Sequence, residues 1–147
     1  MELITLIYNP IAVESILAHL RCPEAGAVVL FHGTARNRSA ESKVLRLRYE
    51  AYEEMALQEM KGFALEALKR WGLHRVALVH RLGEVPVGED AVIVGVSASH
   101  RAEGFEACRF LIDSLKASAP IWKEEVLEEG SRWVGNPSTA AGGATPR

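Results

Sequence analysis

HRLGEVPVGEDAVIVGVSASHRAEGFEACRFLIDSLK, residues 80–116, is the stretch whose reading decides the fold. Its first half holds AVIVGV at 91–96, a short apolar run bounded by turn residues, which is the pattern of a buried strand. Its second half changes period. Phe105, Cys108, Leu111, Ile112 and Leu115 recur at steps of three and four, so an amphipathic helix is predicted over 102–117. Pro120 keeps that helix from running much beyond Ser118. Upstream, residues 76–80 read as a strand, joined to 91–96 across the glycine- and proline-containing segment 83–88.

Working outward, residues 26–31 (GAVVLF) form a continuous apolar run expected to be a central strand buried on both faces. Residues 44–50 alternate, with Leu45, Leu47 and Tyr49 on one face and Arg46, Arg48 and Glu50 on the other. A long helix is predicted over 53–71, with Met55, Met60, Phe63, Ala67 and Leu68 facing the core and Gly72 as its stop. At the N-terminal end, residues 3–8 read as a strand. Asn9 and Pro10 then offer the cap and first position of a helix over 11–20. Residues 121–126 and 132–134 look extended, with Glu129-Gly130 between them as a hairpin turn. Strands and helices mix without strict βαβ alternation. The expected class is therefore α+β, a single domain over 1–134 with a mixed or antiparallel sheet and two main helices. The low-complexity segment 135–147 (GNPSTAAGGATPR) is expected to fray or drape over a neighbour.

A chain of 147 residues with 48% apolar and 24% charged residues is long enough to bury a core and too apolar for extensive disorder. The net charge of −2 gives no general attraction to nucleic acid or to an anionic membrane. No apolar run reaches the ~18–20 residues of a membrane span. The first 20 residues carry Glu2, Asn9, Pro10 and Glu14 without a basic leader, so no signal peptide is expected. Cys22 and Cys108 make neither a disulfide framework nor a zinc motif, which favours the cytoplasm, two reduced thiols and no metal. The 17 basic residues are 12 arginines and only 5 lysines, and two of the five, Lys116 and Lys123, lie seven residues apart.

Three polar clusters fall at element ends. The first is Gly33-Thr34-Ala35-Arg36-Asn37-Arg38, in which two arginines beside a turn can clamp an anion such as phosphate. A solvated loop is the other reading. The second, Ser97-Ala98-Ser99-His100-Arg101, opens the helix, where the dipole disfavours cations unless an anion sits among them. Alternatively, Ser99 caps the helix and His100 and Arg101 face water. The third runs from Lys116 to Lys123. Lys116 suits a helix C-terminus, whereas Lys123 follows the apolar pair Ile121-Trp122, and an amine among apolar walls and cations is a nucleophile or acid/base candidate. Ordinary surface lysines are the alternative. His32 and His80 read as hydrogen-bonded structural residues, and Cys108 as a packed thiol. The adjacent carboxylates Glu124 and Glu125 diverge and make a poor acid/base dyad. No phosphate loop or dinucleotide fingerprint is present.

Together, GAVVLFHGTARNRS, LRYEAYEEMA, the opening 37-residue stretch, APIWKEE and the G-x-R-W-V ending at Val134 resemble the large, catalytic subunit of molybdopterin synthase. The resemblance implies an α/β-hammerhead-like fold and a sulfurtransferase of molybdenum cofactor synthesis. Its reaction converts cyclic pyranopterin monophosphate into molybdopterin by installing two sulfurs. The sulfur would arrive on the thiocarboxylated C-terminal Gly-Gly of a small ubiquitin-like subunit, bound at each end of a homodimer of the large one, without a cofactor. Carried onto this chain, Lys116 and Lys123 are the implied catalytic lysines. Thr34, Ala35, Arg36, His100 and Arg101, with Glu124 and Glu125, are the implied substrate-site residues. Two departures stand out: Glu124 occupies a position that is commonly basic, and Gly135-Asn136-Pro137 stands where some members contribute an arginine from the other protomer. Arg132 or Arg38 are candidates to substitute. The alternative is a non-catalytic docking module for a ubiquitin-like partner through the Ile121-Trp122 region.

Overall fold

The computed structural model describes residues 1–134, and the expected tail at 135–147 lies outside them. In chain order the described residues form β1 (Glu2–Ile7), α1 (Val13–Leu20), β2 (Ala27–Thr34), β3 (Arg38–Ser39), β4 (Ser42–Ala51) and α2 (Glu53–Trp71). They continue with β5 (Arg75–Arg81), β6 (Gly83–Pro86), β7 (Asp90–Ala98), α3 (Arg101–Ser118), β8 (Ile121–Leu127) and β9 (Gly130–Val134).

One sheet has the order β1-β5-β7-β2, with only its β1–β5 pair parallel. Val76, Leu78, Val94 and Val96 on one face of this sheet join Met60, Ala64 and Ala67 of α2 and Ala107, Leu111 and Leu115 of α3 in the largest core. The opposite face carries Ala77, Val79 and Ile93 and is covered by Ile16 and Leu20 of α1. A second sheet, β3-β4-β8-β9 with β6 added to β4, packs a smaller core of Ala35, Val44, Leu47, Val85 and Ala91. The expected α+β class is the observed one.

Several local expectations change. Residues 27–34 form an edge strand, not a central one, and most of it is half-buried. The fully buried centre of the sheet is β5 and β7, because a continuous apolar run does not reveal which strands flank it. The segment 83–86 is itself a strand, paired to Arg46–Tyr49 through a contact that no local pattern announces. In β4 a register shift between Val44 and Arg46 turns Val44 inward and leaves Leu45 41% exposed. Helix α1 begins at Val13 after Ala12, with no side-chain cap, so Asn9 and Pro10 lie ahead of it. Met55 and Phe105 face outward on α2 and α3.

Two glycines follow backbone and packing demands. Gly72 closes α2 in the left-handed region at φ 60°. Gly104 lets α3 lie close on β2, since a Cβ there would stand 2.9 Å from Val29 Cγ2.

Candidate active site

Strand periodicity and the position of one helix end bring the two lysines together. On β8, Ile121, Lys123 and Glu125 share one face, and Trp122, Glu124 and Val126 share the other. Pairing sets Lys123 opposite Tyr49 of β4 and Val134 of β9. Lys116 occupies the last turn of α3, where a cation is favoured by the dipole. Both lysines line two adjoining clefts with Tyr49 and Val92. The polar cleft, about 570 Å³ including its mouth, adds Thr34, Arg36 and Arg38 from the end of β2 and the loop after it, and Glu125 from β8. The apolar cleft, about 380 Å³, adds Ile112, Leu115 and Ile121, and His80 from β5. Four cations thus line the polar cleft against one carboxylate, a charge balance suited to an anion.

Glu125 organises this edge. Its Oε1 accepts from Arg132 Nε at 2.7 Å, and its Oε2 lies 4.0 Å from Lys123 Nζ. Arg132 also donates through Nη2 to the Ser39 carbonyl at 3.0 Å, tying β9 to the hairpin beside Arg38. Burial pushes the Glu125 carboxyl upward. Hydrogen bonds from Arg132 and the Ser39 side chain, with the charges of Lys123 and Arg132, outweigh burial and hold it below the ordinary glutamate value.

The expected site residues do not all converge. Thr34, Arg36, Lys116, Lys123 and Glu125 do. Ala35 turns away: it is 2% exposed in the small core, its N–H donates to the Glu89 carbonyl at 3.0 Å, and its carbonyl accepts from Gly88 N–H at 2.8 Å. It anchors Arg36 instead of offering a contact. Glu124 is excluded by strand alternation. It faces the other side of the sheet, where Arg48 binds its Oε1 and Ser131 donates to its Oε2 at 2.7 Å. Those hydrogen bonds, from Ser131 first and then Arg48, lower its pKa. His100 and Arg101 stand at the opposite end of α3 from Lys116, about 22 Å away at 1.5 Å per residue. One chain cannot bring them to the lysines.

At that helix start Ser99 is not a cap. No side chain caps α3, and Ser99 Oγ pairs with His74 Nε2 at 3.0 Å. His100 is exposed, 3.7 Å from Glu103. Cys108 is packed as expected, and burial pushes its thiol up to about 11. His32 pairs with Asp90 at 3.0 Å. Tyr49 and His80 were not among the expected site residues. The alternation of 44–50 already set Tyr49 beside Leu47, whereas a histidine near the end of a buried strand gives no sign of the cleft it will face. Among the described residues, no group of three His, Cys, Asp or Glu side chains is placed to hold a metal, and no helix is long and apolar enough to cross a membrane.

Known proteins are similar to this chain in sequence and in fold. The family model described as MoaE protein matches residues 6–118. The molybdopterin synthase catalytic subunit of Arabidopsis thaliana is 46% identical over 128 residues, which are 87% of this chain, and the chain spans 65% of that relative's length. The subunit of the same name from Bacillus subtilis is 38% identical over 136 residues, 92% of this chain and 87% of that one. Among solved structures, molybdopterin synthase from Staphylococcus aureus superposes with a TM-score of 0.87 at 33% identity, covering 92% of this chain and 99% of that chain.

Proposed function

Since the chain belongs to the MoaE protein family, we propose that it is the large, catalytic subunit of a molybdopterin synthase, acting in molybdenum cofactor biosynthesis. In this reading it is a sulfurtransferase. It moves two sulfurs from the thiocarboxylated C-terminal Gly-Gly of a small ubiquitin-like subunit onto cyclic pyranopterin monophosphate. The observation that carries the reading is the convergence of Lys116 and Lys123 on adjoining clefts, one cationic and one apolar.

The division of labour follows from the linings. Arg36 and Arg38, with Thr34, would hold the pterin phosphate by charge-assisted hydrogen bonds. The apolar cleft would take the reacting end of the extended tail. One lysine ammonium would stabilise negative charge developing at the acyl carbon, and the other would supply and withdraw protons as the pterin ring opens. Cys108 suits a scheme in which sulfur arrives on the partner, since a buried thiol held protonated to about pH 11 is a poor nucleophile. The proposal needs no cofactor. It puts the enzyme in the cytoplasm, with residues 1–134 as its catalytic domain.

A homodimer is part of the proposal, because His100 and Arg101 can join the lysines only from a second copy. Mixing an inactive Lys116→Ala protein with an inactive Arg101→Ala protein should then restore activity in the mixed dimer. The direct test combines purified chain, thiocarboxylated small subunit and cyclic pyranopterin monophosphate. Molybdopterin should form, and Lys123→Ala should prevent it. A docking module would bind the same partner and yield no product.

A further inference from the structure

His80 is 5% exposed, yet it lines the apolar cleft with both lysines. It is the next-to-last residue of the buried strand β5 and meets the Tyr49 ring edge-on at 4.8 Å between centroids. Its Nδ1 lies 2.8 Å from the Arg81 carbonyl. A carbonyl oxygen only accepts, so Nδ1 carries the proton and Nε2 is the acceptor nitrogen of the neutral ring.

The titratable groups lining this cleft beside it are Tyr49 from β4, Lys116 from α3 and Lys123 from β8. Val92 from β7 and the remaining lining residues, Ile112, Leu115 and Ile121, bring no charge. Phenols and alkylammonium groups ordinarily keep their protons to about pH 10, while an imidazole gives its up near ~6.5. The carboxylate lining the neighbouring cleft, Glu125, is bound to Arg132. Of the titratable groups lining the apolar cleft, imidazole is the one whose ordinary range suits a base at neutral pH.

We propose that His80 is the general base of the lysine cleft, activating the water that frees sulfur from the partner's tail. The inference rests on the sulfurtransferase reading above. Once the thiocarboxylate sulfur has bonded to a pterin carbon, that sulfur still bridges to the acyl carbon of the tail. The water oxygen then bonds to the acyl carbon, and its proton passes to His80 Nε2. The acyl carbon–sulfur bond breaks, the electron pair leaves on sulfur as the pterin thiolate, and the tail departs as a carboxylic acid that ionises. The imidazolium keeps Nδ1–H on the Arg81 carbonyl and returns the Nε2 proton to solvent. The lysine ammonium assigned to the acyl oxygen stabilises the tetrahedral anion, a role it holds only while protonated, so a separate base must take the water's proton.

His80→Asn tests this, because the asparagine amide can reproduce the Nδ1 donor to Arg81 while removing Nε2. The variant should unfold cooperatively like the parent and bind the small subunit and the pterin with unchanged affinity. Its turnover should fall by about 10²–10⁴-fold. The parent's rate should decline as pH drops through the imidazole range, and that acidic limb should vanish in the variant. Turnover within about twofold of the parent, with the limb intact, overturns the proposal. A parent protein that makes no molybdopterin overturns the sulfurtransferase reading instead, and this inference with it. Should His80→Asn fail to fold, nitrogen-15 spectra of the parent's histidine rings decide: an unprotonated Nε2 at neutral pH is expected. A ring protonated at Nε2 there refutes the base.

Discussion

Replacing Glu125 by glutamine should cost about 2 kcal/mol of stability at neutral pH, and the loss should fade in acid. Glutamine keeps the shape and one acceptor but removes the charge facing Arg132 at 2.7 Å and Lys123 at 4.0 Å. Hydrogen bonds to charged groups contribute about 1.5–3 kcal/mol when buried. The Glu125 side chain is 5% exposed but Arg132 is 40% exposed, so solvent screening takes the pair below the top of that range. For a chain of this size the loss corresponds to a melting shift of roughly 6–8 °C. The folded carboxyl sits below its ordinary value, so its contribution is fully present above the unfolded glutamate pKa of ~4.3. It disappears as pH falls through the folded value. Urea unfolding followed by tryptophan fluorescence at neutral pH and again near pH 3 measures both. A difference under about 0.5 kcal/mol at neutral pH, or one that persists undiminished in acid, would show that the charge is not what holds β9 to the hairpin.

Arg36→Ala should raise KM for the pterin at least about tenfold with kcat much less affected, the mark of lost ground-state binding; steady-state kinetics would show otherwise if only kcat fell. Glu89→Gln should loosen the support of Arg36, since Arg81 Nη1 reaches Glu89 at 2.8 Å and the Glu89 and Gly88 backbones clasp Ala35. Hydrogen exchange of the Ala35 amide should then quicken about tenfold, while amides of β5 and β7 stay protected. Cys108→Ser should retain turnover within about threefold despite some loss of stability, and the parent thiol should resist alkylation at pH 8.

The fold was largely legible because its main elements advertise themselves locally. Residues 53–71 show their helix and its glycine stop, and the switch in period across 91–117 shows a strand followed by a helix. What stayed hidden was non-local. No local pattern shows that β2 lies at an edge, that 83–86 pairs with β4, or that a register shift turns Val44 inward. The site followed the same division. Lys116, Lys123 and Arg36 stood out from their segments, and β8 alternation alone was enough to part Glu124 from Glu125. His80 joins the lysines only because β5, α3 and β8 meet at one end of the core, a fact of tertiary packing.

The central claim is that the lysine cleft performs sulfur transfer. Incubating the chain with thiocarboxylated small subunit and cyclic pyranopterin monophosphate, and following product by mass spectrometry, tests it most directly. The account predicts molybdopterin carrying two new sulfurs with the parent chain and none with Lys123→Ala at equal partner binding. Tight partner binding with no sulfur transferred by the parent chain would contradict it.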